Sequence, residues 1–149
     1  MPGHEGTIRG LQDDLHALQV AGVSHVVALV SDDELENYGV EGLFEAYREA
    51  GFVVRRLPIP DMGISSVEDM SGIVAWLDEQ LRGGARVLVH CVGGLGRSGM
   101  AAACFLTTRG LDAAAAIAEV RRVRSPYAIE TTKQEAFVRW FAGGSDQHG

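Results

Sequence analysis

The chain has 149 residues, of which 46% are apolar and 22% charged, and its net charge is −7. This length and this balance are typical of one globular domain with a real core, and they exclude a disordered chain. The negative charge argues against a general nucleic-acid surface. No apolar run approaches the roughly 20 residues that span a bilayer, and residues 1–6 lack the basic and apolar regions of a signal peptide.

Apolar spacing and breaker residues predict strands that alternate with helices. In chain order we predict a helix over 11–20, a strand over 25–30, a short helix from a capping-box-like start at 31–34, a helix over 42–50, a strand over 52–59, a loop over 61–66, a helix over 67–81, a strand over 86–90, and helices over 97–108, 112–124 and 131–141. This alternation is typical of a mostly parallel central sheet, here of about four strands, with helices on both faces. We therefore predict a single α/β domain over residues 1–149, with flexible ends at 1–6 and 143–149.

The stretch HCVGGLGRSG, residues 90–99, follows one of these strands and opens a helix. A strand, a glycine-rich loop and a helix N-terminus in that order form a cradle for a phosphate. The planar fork of Arg97 suits two phosphate oxygens, which a lysine does not match geometrically. We expect backbone N–H groups and this guanidinium to bind phosphate through the following residues: Val92, Gly93, Gly94, Leu95, Gly96 and Arg97.

Cys91 at the base of this cradle converts a binding site into a candidate nucleophilic site. The positive field of the loop and of the helix N-terminus favours the thiolate at neutral pH. Ser98 is placed to hydrogen-bond the sulfur and to stabilise it as a leaving group, and His90 is expected to orient the loop through a hydrogen bond. An inert cysteine in a glycine turn is the competing interpretation, but it does not account for the whole pattern.

Thiolate attack on a phosphate ester expels an alkoxide or a phenolate, so an acid must protonate the leaving oxygen. Asp61 follows a predicted strand whose carboxyl end opens at the same sheet edge as the loop. Pro-Asp pairs also occur in ordinary turns, so position alone leaves both interpretations open. Asp69 and Asp78 are weaker candidates, because both lie within a predicted helix.

The loop resembles the signature of the cysteine-dependent protein phosphatases of the compact dual-specificity branch. Four stretches are similar, in order and spacing, to its kinase-associated phosphatase group: LENY at 35–38, PIPD at 58–61, HCVGGLGRS at 90–98 and AIETTKQ at 128–134. The resemblance implies hydrolysis of phosphotyrosine in proteins, with phosphoserine and phosphothreonine as further candidates. It also implies a cysteinyl-phosphate intermediate, Asp61 as the acid, and neither cofactor nor metal.

The same resemblance places Gln134 where related phosphatases carry a glutamine that orients the hydrolytic water, with Glu130 as a second contributor. Helix capping is the alternative for both residues, since Thr131 suits an N-cap and acidic charge favours a helix N-terminus. We favour capping for Glu130 and leave both roles open for Gln134.

Cys91 and Cys104 are the only cysteines, so no disulfide framework exists, which predicts a reducing, cytoplasmic location. Cys104 lies among alanines in a predicted helix and is expected to pack in the core. A regulatory disulfide between the two would need Cα atoms closer than about 7 Å.

Other functions stay open at this point. One is hydrolysis of inositol phosphates or other small phosphomonoesters, although residues 92–96 carry no lysine, which favours protein phosphate. Another is a phosphate-dependent binding module, against which the thiol argues, since a binder needs none. Redox chemistry is a third, with Cys104 as the available resolving cysteine.

Overall fold

The structure, a computed structural model, describes residues 15–37, 42–91 and 96–147. Its elements are α1 (15–20), β1 (Val23–Ala28), α2 (Asp32–Asn37), α3 (Leu43–Glu49), β2 (Val53–Arg56), α4 (Val67–Arg82), β3 (Arg86–His90), α5 (Gly96–Thr107), α6 (Ala113–Val123) and α7 (Thr132–Gln147). Both strand pairs are parallel, in the order β2-β1-β3. The predicted α/β class is confirmed, whereas the sheet of the described residues has three strands and not about four.

The central strand β1 and the residues that follow it are buried on both faces. Val27 and Leu29 belong to the larger core, which helices α4 to α7 complete. Val26, Ala28 and Val30 belong to a smaller core on the side of α1, α2 and α3. Successive strand side chains point to opposite faces of a sheet. A continuous apolar run is therefore what a strand between two helical layers requires.

The backbone pairing continues beyond the assigned strand ends. The N–H groups of Leu57 and Ile59 donate to the carbonyls of Ala28 and Leu29, at 3.0 and 3.1 Å. On the other side, the N–H of Leu29 donates to the carbonyl of His90 at 2.9 Å. The carboxyl ends of all three strands therefore meet at one edge of the sheet.

The helix ends follow the glycine pattern only in part. Gly22 and Gly51, which follow α1 and α3, have φ angles of +84° and +91°, as helix-terminating glycines do. The predicted end of the last helix at Phe141 is wrong, because α7 continues to Gln147 through two glycines; helical glycine is unfavourable by only about 1 kcal/mol. The predicted flexible end at 1–6 lies outside the described residues. None of the described helices is long and apolar enough to cross a membrane.

One buried ion pair joins α5 to α2. Arg97, in the first turn of α5, has 2% of its side chain exposed, and Glu34 of α2 has 12%. Nη1 and Nη2 of Arg97 donate to the two carboxylate oxygens of Glu34, with 2.7 Å between Nη2 and Oε2. Nη1 also donates to the carbonyl of Ile59 at 2.8 Å. The Arg97 hydrogen bonds hold the pKa of Glu34 below its ordinary value of 4.5, against the opposing effect of burial.

This pair predicts a specific dependence of stability on pH. A carboxylate whose pKa is lower in the folded than in the unfolded chain stabilises the fold above the unfolded value, and this stabilisation disappears as the pH falls through the folded value. At neutral pH we expect Glu34→Gln to lower the free energy of unfolding by about 3 kcal/mol, since one partner of a buried pair is removed. The difference from the native chain should shrink below pH 4.5. Urea unfolding across this pH range measures it.

Asp33→Asn is the matched control, because Asp33 is an exposed acid on the same helix. Its unfolding free energy should follow that of the native chain at every pH. A Glu34→Gln deficit that stays constant down to pH 3 would show that the ionised Glu34 carboxylate does not supply the stabilisation.

Candidate active site

The strand and the helix predicted on either side of the phosphate loop are both present. Cys91 directly follows β3 and is half-buried, and α5 begins at Gly96. The side chains of Arg97 and Ser98 are buried in the first turn of that helix. Four of the residues predicted to bind phosphate lie outside the described residues: Val92, Gly93, Gly94 and Leu95.

Asp61 lies in a tight turn at the end of the backbone segment that continues β2. The N–H of Gly63 donates to the carbonyl of Pro60 at 2.8 Å and closes a four-residue turn. Met62 in this turn has a φ of +62°, a backbone conformation that L residues other than glycine rarely adopt. A Cβ on Gly63 would lie 2.8 Å from the Pro60 carbonyl oxygen, so glycine is required to close the turn. The turn projects Asp61 into solvent, with 68% of its side chain exposed.

The acid turn and the phosphate loop meet at Arg97. Nη2 of Arg97 lies 3.6 Å from Oδ1 of Asp61. The hydrogen bond to Glu34 raises the pKa of Arg97 most, burial opposes this, and the charges of Cys91 and Asp61 raise it further. The predicted nucleophile, Cys91, and the predicted acid, Asp61, thus both lie within electrostatic reach of Arg97.

The surroundings of His90 agree with its predicted role of orienting the phosphate loop. Burial lowers its pKa most, the Arg97 charge lowers it further, and a hydrogen bond with the backbone of Cys91 raises it. Its Nε2 is buried and has no hydrogen-bond partner among the described residues. A neutral imidazole bonded to the Cys91 backbone agrees with the predicted role of holding the loop.

Gly96 brings the start of α7 against the phosphate loop. Its N–H donates to Oε1 of Glu130 at 2.9 Å, so this amide already binds an anionic oxygen. A Cβ on Gly96 would lie 2.7 Å from Oε1 of Gln134 and 2.8 Å from Oε1 of Glu130. A larger residue at this position would displace the ends of both side chains. The two residues that the resemblance associated with water are therefore both in contact with the phosphate loop.

Gln134 is fully buried and its side chain is held from two sides. Its Oε1 accepts from the N–H groups of Glu130 and Thr131, at 3.0 and 3.3 Å. Its Nε2 donates to the carbonyl of Gly63 at 3.2 Å. The capping interpretation holds for Thr131, whose Oγ1 accepts from the Gln134 N–H at 3.0 Å.

Glu34 is the site residue that the sequence did not reveal. The capping box is present, since Oε1 of Glu34 accepts from the N–H and the hydroxyl of Ser31, at 3.1 and 3.0 Å. The same carboxylate also accepts hydrogen bonds from Nη1 and Nη2 of Arg97. A capping glutamate is an ordinary local signal, whereas its second partner lies 63 positions along the chain.

Cys104 is a core residue, as predicted. Its side chain is fully buried in α5, and burial raises the pKa of its thiol far above the ordinary value. In the part of the chain that the structure describes, no three His, Cys, Asp or Glu side chains are grouped as a metal site requires.

Two comparisons concern the sequence. A family model described as "Polymorphic toxin system, DSP-PTPase phosphatase" matches residues 2–111. Cyclin-dependent kinase inhibitor 3 of Rattus norvegicus is 34% identical over 135 residues, which are 89% of this chain and 64% of that protein. The Homo sapiens protein is 31% identical over the same shares. This chain thus spans less than two thirds of the length of these relatives.

Two solved structures are similar to this chain in both fold and sequence. Kinase-associated phosphatase, with its catalytic-site cysteine substituted by serine, superimposes with a TM-score of 0.86 at 29% identity, over 93% of this chain and 79% of that one. The active form of Tk-PTP superimposes with a TM-score of 0.77 at 36% identity, over 91% of this chain and 85% of that one. Since the family model covers well over half of the sequence, the chain belongs to the DSP-PTPase phosphatase family.

Proposed function

We propose that this chain is a phosphoprotein phosphatase that hydrolyses phosphotyrosine, with phosphoserine and phosphothreonine as further substrates, through a cysteinyl-phosphate intermediate. The observation that carries the proposal is the 3.6 Å approach of Asp61 to Arg97, which lies six residues after Cys91 in the first turn of α5. A nucleophile, a phosphate ligand and a proton donor are the three groups that this reaction needs. Family membership supports the same reaction class.

In the first step, the Cys91 thiolate attacks phosphorus and the bond to the ester oxygen breaks. Asp61 gives its proton to that oxygen, so the product leaves as a neutral hydroxyl. In the second step, water attacks phosphorus, the sulfur–phosphorus bond breaks, and Asp61 takes the proton from the water. Ser98 stabilises the departing sulfur by a hydrogen bond. The buried position of Ser98 in the first turn of α5 supports this role.

Arg97 and the loop amides of Val92, Gly93, Gly94, Leu95 and Arg97 bind the phosphate in both steps, whereas the Gly96 N–H, which was also predicted to bind it, donates to Glu130. Glu34 accepts hydrogen bonds from Nη1 and Nη2 of the guanidinium, and in the proposed complex phosphate oxygens are bound by Nε and Nη2. Because the ion pair is already formed, the guanidinium needs no reorganisation when substrate arrives. Such preorganised charge is a large contribution to transition-state stabilisation in water-excluded sites.

The substrate class follows from the charge of the site. Residues 92–96 carry no lysine, and three carboxylates surround the Arg97 and Gly96 donors: Glu34, Asp61 and Glu130. This environment is poorly suited to the many negative charges of an inositol polyphosphate, and it favours a phosphorylated side chain of a protein. A reducing, cytoplasmic location, in which Cys91 and Cys104 are not joined in a disulfide, is part of the proposal. Higher turnover of inositol phosphates than of phosphotyrosine peptides would refute this substrate choice.

Cys91→Ser tests the nucleophile. We expect hydrolysis of a phosphotyrosine peptide to vanish in this variant, because serine is not ionised at neutral pH, and to survive EDTA in the native chain. Cys104→Ala is the matched control and should remain active, since Cys104 is a core thiol. Full activity of Cys91→Ser would refute the mechanism.

Asp61→Ala tests the acid. Loss of a general acid lowers turnover by about 10²–10⁴-fold, and the loss should be largest for esters with poor leaving groups, which need the proton most. Steady-state rates with phenyl phosphate and p-nitrophenyl phosphate measure both effects. Asp69→Ala, at an exposed acid in α4, should leave the rates unchanged. Unchanged rates in Asp61→Ala would assign the acid to another residue.

A further inference from the structure

The side chain of Gln134 connects α7 to the turn that carries Asp61. Gln134 is fully buried, and its Nε2 donates to the Gly63 carbonyl, two residues after Asp61. The orientation of the amide is determined by its surroundings. If oxygen and nitrogen were exchanged, the NH₂ group would face two backbone N–H donors, and the oxygen would face a carbonyl. Nε2 must therefore point to the acid turn.

The turn that carries Asp61 depends on support from neighbouring residues. Met62 holds a positive φ, a strained conformation for a non-glycine residue that persists only where neighbours enforce it. Asp61 is largely exposed, so its own side chain is not fixed by packing. The Gln134 hydrogen bond to Gly63 holds the turn against the start of α7, which itself contacts Gly96 of the phosphate loop. It therefore sets the distance between the acid and the phosphate site.

The same hydrogen bonds argue against a water-orienting role. An amide oxygen has two lone pairs. Both are engaged by the N–H groups of Glu130 and Thr131, so Oε1 of Gln134 is not available to accept a hydrogen bond from the attacking water. Orienting that water by Oε1 would require breaking a bond at the N-terminus of α7.

We propose that Gln134 is a positioning residue, which places Asp61 for proton transfer to the leaving oxygen by holding the Gly63 carbonyl. The proposal rests on the proposed function, in which Asp61 is the acid. A general acid must lie within hydrogen-bond reach of the oxygen that it protonates. A misplacement of about 1 Å costs about 10²-fold in rate. The role predicted from the resemblance acts on the second step alone, whereas this one also acts on the first, in which Asp61 donates the proton.

Gln134→Glu is the sharpest variant, because glutamate keeps the size and the two accepted hydrogen bonds but, when ionised, cannot donate to Gly63. We expect kcat/KM for phenyl phosphate to fall about 30-fold or more, but by less than it falls in Asp61→Ala. For p-nitrophenyl phosphate, whose leaving group needs little protonation, the fall should be less than about threefold. Gln134→Ala should show the same selectivity. Both are compared with Asp61→Ala.

Thr131→Ala is the matched control. It removes the hydroxyl that caps α7 and leaves the Gln134–Gly63 hydrogen bond in place. It should lower stability and leave the ratio of the two kcat/KM values unchanged. Titration of the Cys91 thiol with iodoacetate gives the active fraction of each variant, so partial unfolding is corrected for.

Two results would overturn the proposal. One is an equal loss of kcat/KM with both esters in the Gln134 variants, which would assign Gln134 a purely structural role. The other is an unchanged kcat/KM with a lower kcat and an accumulating cysteinyl-phosphate, which would assign it to the water step. If Asp61→Ala itself lacks leaving-group dependence, the acid assignment of the proposed function fails instead.

Discussion

The buried guanidinium of Arg97 is the group on which the arrangement of this site depends. It bonds to Glu34, which follows β1, and to the carbonyl of Ile59, which follows β2, and it lies itself on the helix that follows β3. This one side chain therefore connects the segments that follow all three strands. A buried charge is tolerated only when it is paired and hydrogen-bonded, so the site and the fold stabilise each other.

The sheet topology makes this convergence possible. In a parallel sheet of order β2-β1-β3, the carboxyl ends of neighbouring strands open at one edge, where crevices for ligands form. The Asp61 turn comes from one side of β1 and the Cys91 loop from the other. Glu34 and Gln134 connect them from opposite directions, one through Arg97 and the other through Gly63. Asp61 and Arg97 are thus positioned by contacts with other parts of the fold as well as by their own segments.

Much of this could be predicted from the sequence, because the signals are local. The strand before Cys91, the glycines after it and the helix that opens at Gly96 are contiguous, and the apolar run of β1 is read directly as a strand buried on both faces. The partner of Arg97 is a tertiary contact. Local chemistry assigns Glu34 to Ser31, correctly, and gives no sign of its second bond. The same holds for Gln134, whose capping position was visible while its contact with Gly63 was not. The predicted end of α7 at Phe141 is wrong, since the helix continues to Gln147. The buried residues Phe137, Val138 and Phe141 support the part of the helix before the two glycines.

A crystal structure with bound tungstate, an oxyanion that mimics phosphate, tests the central claim most directly. The account predicts the anion above the Cys91 sulfur, with Arg97 donating through Nε and Nη2 while Glu34 keeps its place on the Nη1–Nη2 edge. An anion bound away from Cys91, or one that displaces Glu34 from Arg97, would contradict it.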